Sequence, residues 1–381
     1  MMQKNLSIQL EAILAEPKEY YIAKIKERFG EFDIDRFSQV MLFGAAEMGK
    51  IYIDLCRKNI IEVLAVCDND VLKSGSFIDG IKIISVEKLL ESPKDTPIII
   101  TTIYDDEVYQ QLISLGFTRV LTGAYLSVMH ADKFYNPHWL NSIDDILDQK
   151  NEVSRCFNIL DDEDSRNNFL NIIQYRLSLD RLYIKKIMRP AEEEYFDKDV
   201  IFLSSKEVFV DGGAYRGDTI VNFLKVTGGQ FEAVHSYEPD AVSFVKLKEY
   251  TDSLADSRIF IYPSALGKAD GLAKFSKYGA LGSRISETGD IVVKIVDLDG
   301  SLNDLIPTFI KLDVEGWELE ALKGAQKTII LHSPKLAVCI YHKSDDLWRI
   351  PLFLKDRFSR YKIFIRHYSP FLYDTVCYAV C

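Results

Sequence analysis

Twice in this chain a short apolar run stops at a cluster of small and acidic residues and passes straight into a helical pattern. It happens where 40–43 runs into Gly44, Ala45, Ala46, Glu47, Met48 and Gly49, and again where 208–210 runs into Asp211, Gly212, Gly213, Ala214, Tyr215, Arg216, Gly217, Asp218 and Thr219. A strand that turns directly into a helix, with another apolar run following, is one repeat of a parallel sheet, because the helix must cross a face of the sheet to reach the next strand. The expected fold class is therefore α/β with two Rossmann-like units. At about 100–200 residues per domain, 381 residues leave room for both.

The pattern predicts a helical lead-in over 1–36, a smaller N-terminal Rossmann-like domain over 37–128, a helical connector over 129–204 and a larger α/β domain over 205–381. In the first domain, strands are expected at 40–43, 63–67 and 97–101, with helices over 51–58 and 106–115. The connector has no clear strand; its acidic run 161–164 reads as a helix start with a solvated face. In the larger domain, strands are expected at 207–211, 233–238, 259–265, 309–314 and 336–342, with helices over 218–225, 241–249, 318–329 and 346–358. The last two runs, 361–366 and 375–380, are separated only by a short turn around Ser369, Pro370 and Phe371, so they predict an antiparallel hairpin.

Chemistry concentrates at the strand ends of the larger domain. Gly212 and Gly213 let a ligand approach the backbone, and Gly217 lets the helix pack on the sheet. Asp211 would repel a pyrophosphate and suits a cofactor with a cationic, amine-bearing tail. Glu238, followed by Pro239, ends the next strand, where an acid accepts the hydrogens of both ribose hydroxyls. Ser264 and Ala265 close the third strand and join the expected cofactor contacts. Asp313 and Glu315 follow the fourth strand and His342 the fifth; ligands of open α/β sheets bind beyond these carboxyl ends. For each acid the alternative is a helix cap or an exposed turn, and Asp313 in particular would cap the helix that follows Trp317.

Residues 208–380 resemble the FkbM family of S-adenosylmethionine-dependent methyltransferases. The resemblance is carried by the segment Asp211 to Thr219, by Tyr237-Glu238-Pro239, by Ile310-Lys311-Leu312-Asp313-Val314-Glu315-Gly316, by Leu322-Lys323-Gly324-Ala325 and by Ile340-Tyr341-His342. It covers somewhat under half of the chain. It implies a class I methyltransferase sheet with a terminal antiparallel hairpin, and S-adenosyl-L-methionine as cofactor, bound by Asp211, Gly212, Gly213, Ala214, Tyr215, Gly217, Asp218, Thr219, Glu238, Pro239, Ser264, Ala265 and Asp313. Family members mostly O-methylate hydroxyls of small molecules or glycans. A hydroxyl needs its proton removed near the transition state, and Asp313, Glu315 and His342 are the candidate catalytic residues. A divalent metal held by carboxylates would serve the same end, but no His/Cys/Asp group has metal-ligand spacing and no metal site is assigned.

In the N-terminal domain, Gly44, Ala46 and Gly49, with Asp68 after the second strand, approach a dinucleotide fingerprint with Ala at its middle place. This leaves two other readings open: an enzyme using NAD(P) or a nucleotide-sugar through this domain, and a non-catalytic binding or scaffold protein. The net charge of -11 and the lack of a Lys/Arg-rich block disfavour a nucleic-acid partner. No apolar run approaches the roughly 20 residues of a membrane span, so no membrane insertion is expected. The six cysteines form no Cys-x-x-Cys pair, and the first residues have no apolar signal core; a cytoplasmic, reduced protein is the expectation. The oligomeric state stays open, a homo-oligomer included.

Overall fold

The computed structural model describes residues 2–134, 143–277, 283–285, 291–302 and 305–381. The chain forms two compact units. One comprises Ala12–Asp148 and Ile173–Leu182; the other comprises Met1–Glu11, Gln149–Ile172 and Tyr183–Cys381. Part of the expected connector, 135–142, lies outside the described residues. The rest is divided between the units.

The first unit is built on six strands: β1 (Gln39–Phe43), β2 (Glu62–Cys67), β3 (Phe77–Ile78), β4 (Ile81–Ile84), β5 (Ile98–Ile100) and β6 (Val120–Thr122). Their order is β3-β4-β2-β1-β5-β6, parallel except for the β3–β4 hairpin. The short strands β3, β4 and β6 were not expected from the sequence. The three-residue run 120–122, buried at every position, carries no alternation to read. Residues 173–182 join this unit because Arg181 forms a buried ion pair with Asp105, 2.6 Å from Nη2 to Oδ1, and Asp180 pairs with Arg28 at 3.1 Å.

In the second unit come β7 (Val208–Gly212), β8 (Ala233–Tyr237) and β9 (Ile259–Tyr262). The short β10 (Ala265–Leu266), β11 (Gly271–Lys277), β12 (Ser283–Ile285) and β13 (Ile291–Val296) follow. The chain then forms β14 (Phe309–Leu312), β15 (Lys335–Cys339), β16 (Lys362–His367) and β17 (Thr375–Val380). The main sheet has the order β16-β17-β15-β14-β7-β8-β9, and β17 runs antiparallel to both its neighbours. This is the class I methyltransferase Rossmann-like arrangement, with the expected terminal hairpin. Strands β10 to β13 make a separate four-stranded sheet that the sequence reading did not foresee.

Aromatic residues dominate the core of this unit: Phe209 of β7 stacks on Phe223 at 4.6 Å and meets Phe309 of β14 at 5.1 Å. Phe196 packs on all three rings, so the segment just before residue 200 is part of the core, not of a linker. The acidic run is also not simply solvated. Asp161 accepts the Ile363 N–H at 2.7 Å, Asp162 pairs with the buried Arg366 at 2.6 Å, and Asn168 donates to the Ile365 carbonyl. These bonds satisfy and cover the free edge of β16, which otherwise presents unpaired backbone groups.

Candidate active site

The turn after β7 is shaped by close backbone approach. Gly213 has φ +78, and a Cβ on it would lie 1.7 Å from the Asp313 carbonyl oxygen. Its N–H and that of Ala214 both donate to the Tyr237 carbonyl, at 2.9 and 3.1 Å. Gly217 (φ +94) closes the turn against Tyr250 and Leu247 and starts the helix Asp218–Thr227. Tyr215, in contrast, holds φ +47 with a β-carbon and is half exposed. A non-glycine residue there stores strain of order 1 kcal/mol, a cost that recurs at ligand-binding turns.

The acid ending β8 bridges two turns. Glu238 accepts the Tyr215 N–H at 2.8 Å on one oxygen and the Asp240 N–H at 2.7 Å on the other. Burial pushes its pKa up to about 7, partly offset by those two hydrogen bonds. Each oxygen keeps one lone pair free of these bonds. Asp240 caps the helix Ala241–Leu254 through Ser243. Pro239 lies between them, and Ser264 and Ala265 are buried beyond β9.

Asp211 is not the open carboxylate that the sequence suggests. It is fully buried, and its Oδ1 lies 3.0 Å from Nζ of Lys311, which also donates to the carbonyls of Gly213 (2.8 Å) and Gly212 (3.3 Å). Asp211 and Asp313 hold the buried ammonium charged against the cost of its desolvation. The charge reserved for a cationic tail is therefore matched by Lys311. Asp211 Oδ2 still has no hydrogen-bond partner among the described residues.

Asp313, Glu315 and His342 do come together. His342 Nε2 lies 3.4 Å from Asp313 Oδ1 and 3.5 Å from Glu315 Oε2. Asp313 also accepts hydrogen bonds from the hydroxyls of Tyr195 (2.8 Å) and Tyr341 (3.4 Å). Glu315 reaches His342 because it leaves the strand direction at φ +56, followed by Gly316 at φ +88; its side chain is 45% exposed. Burial opposes charge on His342, but Glu318, Asp313 and Glu315 overcome it and raise its pKa to about 10. Lys311 and His342 hold Asp313 below the usual carboxylate range, against the effect of burial.

Two residues of this cluster escaped the sequence reading. Tyr195 comes from the expected connector and carries no motif. Glu318, fully buried, places Oε1 2.9 Å from His342 Nδ1 and accepts the N–H groups of Val314 and Gly316. It, rather than Asp313, caps the turn; an acid in the first turn of a helix was the available signal. The sequence spacing also gave no metal-ligand set, whereas Asp313, Glu318 and His342 each bring one ligand atom to within 4.8 Å of the others.

In the N-terminal unit, a Cβ on Gly49 would meet the Gly44 carbonyl at 2.4 Å, and one on Gly44 (φ +123) the Thr101 carbonyl at 2.9 Å. Ala46 precedes the helix Glu47–Lys58 without a side-chain cap. Asp68 accepts from the backbone of Ala45 and Asp70 and from Lys73, at 2.8, 2.8 and 2.9 Å. Gly44 and Gly49 thus serve close backbone packing and Asp68 closes its own loop, while Ala46 only precedes the helix.

The family model described as the methyltransferase FkbM domain matches residues 211–362. These residues belong to the FkbM methyltransferase domain family. The class of reaction carried by the FkbM domain is accordingly methyl transfer. A second family model, C2185-like, N-terminal, matches residues 37–120. The crystal structure of methyltransferase FkbM from Methylobacillus flagellatus KT is similar over 99% of both chains, at 24% identity and a TM-score of 0.76, and so shares the fold. Aeropyrum pernix fibrillarin, crystallised with natively bound S-adenosyl-L-methionine, aligns over 48% of this chain and 71% of its own, at 15% identity and a TM-score of 0.33. No curated protein matches the chain. Among the described residues, no helix is long and apolar enough to cross a membrane.

Proposed function

We propose that the FkbM domain is an S-adenosyl-L-methionine-dependent O-methyltransferase acting on a hydroxyl of a small molecule or glycan. The observation that carries this reading is the joining of two features at one sheet edge. The close-packed turn Asp211–Gly217, bridged by Glu238, lies one strand away from the Asp313–Glu315–His342 cluster, and Gly213 touches Asp313 directly.

The residues suit the cofactor. Glu238 is a buried acceptor with lone pairs left for the two ribose hydroxyls, Asp211 Oδ2 is a buried oxygen without a partner among the described residues, and Gly212, Gly213 and Ala214 open the turn with little side chain over the backbone, ahead of the exposed Tyr215 and Arg216. When bound, S-adenosyl-L-methionine supplies an electrophilic methyl group on a sulfonium. The protein's part is orientation and handling of a proton. His342, with carboxylates facing both ring nitrogens, has neither turned to the acceptor's proton. Glu315, turned out of the strand and open to solvent, is the group to receive the acceptor's hydroxyl proton on its carboxylate. Asp313, fixed by two tyrosine hydroxyls, orients His342. Nothing in the geometry favours an NAD(P)- or nucleotide-sugar-dependent reaction through the N-terminal unit, since Asp68 is committed to its own loop.

Calorimetric titration of the full chain with S-adenosylhomocysteine tests the cofactor assignment. Micromolar binding is expected. A folded protein that takes up no ligand at millimolar concentration would falsify it.

A further inference from the structure

Around His342 the described residues place far more negative than positive charge. Asp313 and Glu315 face Nε2 and Glu318 faces Nδ1. Lys311, the buried cation beside them, is tied to Asp211 and to two carbonyls. Leaving aside the exposed Glu315, the carboxylates of Asp313 and Glu318 keep the group negative even with the imidazole protonated. Buried charge of one sign is costly unless a counter-charge completes it.

Two details point to what completes it. Glu318 is fully buried, and its Oε2 has no hydrogen-bond partner among the described residues. His342 Nδ1 lies only 2.9 Å from Glu318 Oε1, yet the two are not aligned as a hydrogen bond. Close approach of a nitrogen and an oxygen without a hydrogen bond is what two ligands of one cation show, since ligand atoms at about 2.1 Å from a metal stand about 3 Å apart. Each of Asp313, Glu318 and His342 offers a ligand atom, all within 4.8 Å of one another. We infer that Asp313, Glu318 and His342 form a binding site for a divalent transition-metal cation that accepts mixed carboxylate and imidazole ligands, as Mn2+ does.

The arrangement has the two layers of a metal site. One imidazole nitrogen serves as ligand while the other faces a carboxylate, which fixes the ring's orientation. Val314 and Gly316 hold the Glu318 carboxylate through their N–H groups, and Tyr195 and Tyr341 hold that of Asp313. Glu315, exposed at the rim, is left for the acceptor. The inference stands apart from the cofactor assignment, because cation binding is measured without cofactor or acceptor.

Titration of the full chain with Mn2+, followed by electron paramagnetic resonance, reads both stoichiometry and ligands. One Mn2+ per chain is expected, displaceable by Zn2+, with pulsed spectra showing coupling to one imidazole nitrogen. His342→Gln abolishes that coupling, and Glu318→Gln, which keeps a carbonyl for the two amides, weakens Mn2+ at least tenfold. Circular dichroism checks that the variants fold. Should either fail to fold, the wild-type spectrum decides alone: nitrogen coupling supports the site and its absence overturns it. No binding at millimolar Mn2+, or binding unchanged in both folded variants, also overturns it.

Discussion

Gly213 and Gly228 share a left-handed backbone but differ in their surroundings. Gly228 has φ +59 with nothing within 4 Å of a Cβ, whereas Gly213 has the Asp313 carbonyl 1.7 Å away. Gly228→Ala should cost about 1 kcal/mol, the conformational term alone. Gly213→Ala should cost several times more, because strand and turn must part. Urea unfolding of the two variants compares them directly, and equal costs would show that the close approach is unimportant. Glu238 gives a second residue-scale expectation. Bonding to ribose hydroxyls needs its ionised form, and its pKa of about 7 places the change near neutrality. Affinity for S-adenosylhomocysteine should be flat above that pH and fall toward tenfold per unit below it, from about pH 7 to about pH 6. Glu238→Gln should flatten the profile and lose about 1–3 kcal/mol at high pH. A wild-type profile that does not change across this range counts against the assignment. In the cofactor-free protein the sign is reversed: a carboxyl whose pKa rises on folding adds stability at low pH that is lost as pH climbs through about 7.

At the scale of elements, Lys311 joins neighbouring strands. From β14 it reaches across to Asp211 of β7 and to the carbonyls that begin the turn. Lys311→Met should cost about 3–5 kcal/mol by leaving Asp211 buried and unpaired, while adding Asp211→Asn should recover much of that loss. If denaturant melting finds a single-variant loss below about 1 kcal/mol, Asp211 is not charged in the native state. The strands and helices bordering the site were legible because each strand is an apolar run ending in a small or acidic residue. Less legible was whatever depends on tertiary approach. The predicted helix over 318–329 breaks into Glu318–Lys323 and Gln326–His332, since Gly324 comes so near Gly267 that a Cβ would lie 1.9 Å from its carbonyl oxygen. The expected strand over 336–342 stops at Cys339, which frees Tyr341 and His342 to turn toward Asp313. Asp313 and Glu315, two positions apart, would point the same way on a continuing strand unless the chain turned at Gly316; it does turn, through left-handed backbone at both Glu315 and Gly316, and both carboxylates still reach Nε2 of His342.

For the whole molecule, the question is which part of the chain makes a self-sufficient catalytic unit. A sequence boundary at 205 looks complete, because every expected strand of the larger sheet follows it. The structure places essential partners before it. Tyr195 donates to Asp313, Asp197 accepts from the Tyr368 hydroxyl and pairs with Arg189, and Asp162 balances the buried Arg366. Phe196 fills the space among Phe209, Phe223 and Phe309. A fragment 205–381 would thus bare an aromatic core, leave Arg366 without its Asp162 partner and open the edge of β16. Losing a buried aromatic ring alone costs about 3–5 kcal/mol, a large share of a domain's roughly 5–15 kcal/mol. The fragment 205–381 is therefore expected to aggregate or remain unfolded, whereas 149–381 keeps all these partners and should bind S-adenosylhomocysteine within tenfold of the full chain. Circular dichroism and calorimetry on the two fragments decide it. Should 205–381 fold and bind as well as 149–381, the residues between 149 and 204 are ornament to the methyltransferase sheet; should neither bind while 149–381 is folded, the site draws on residues before 149.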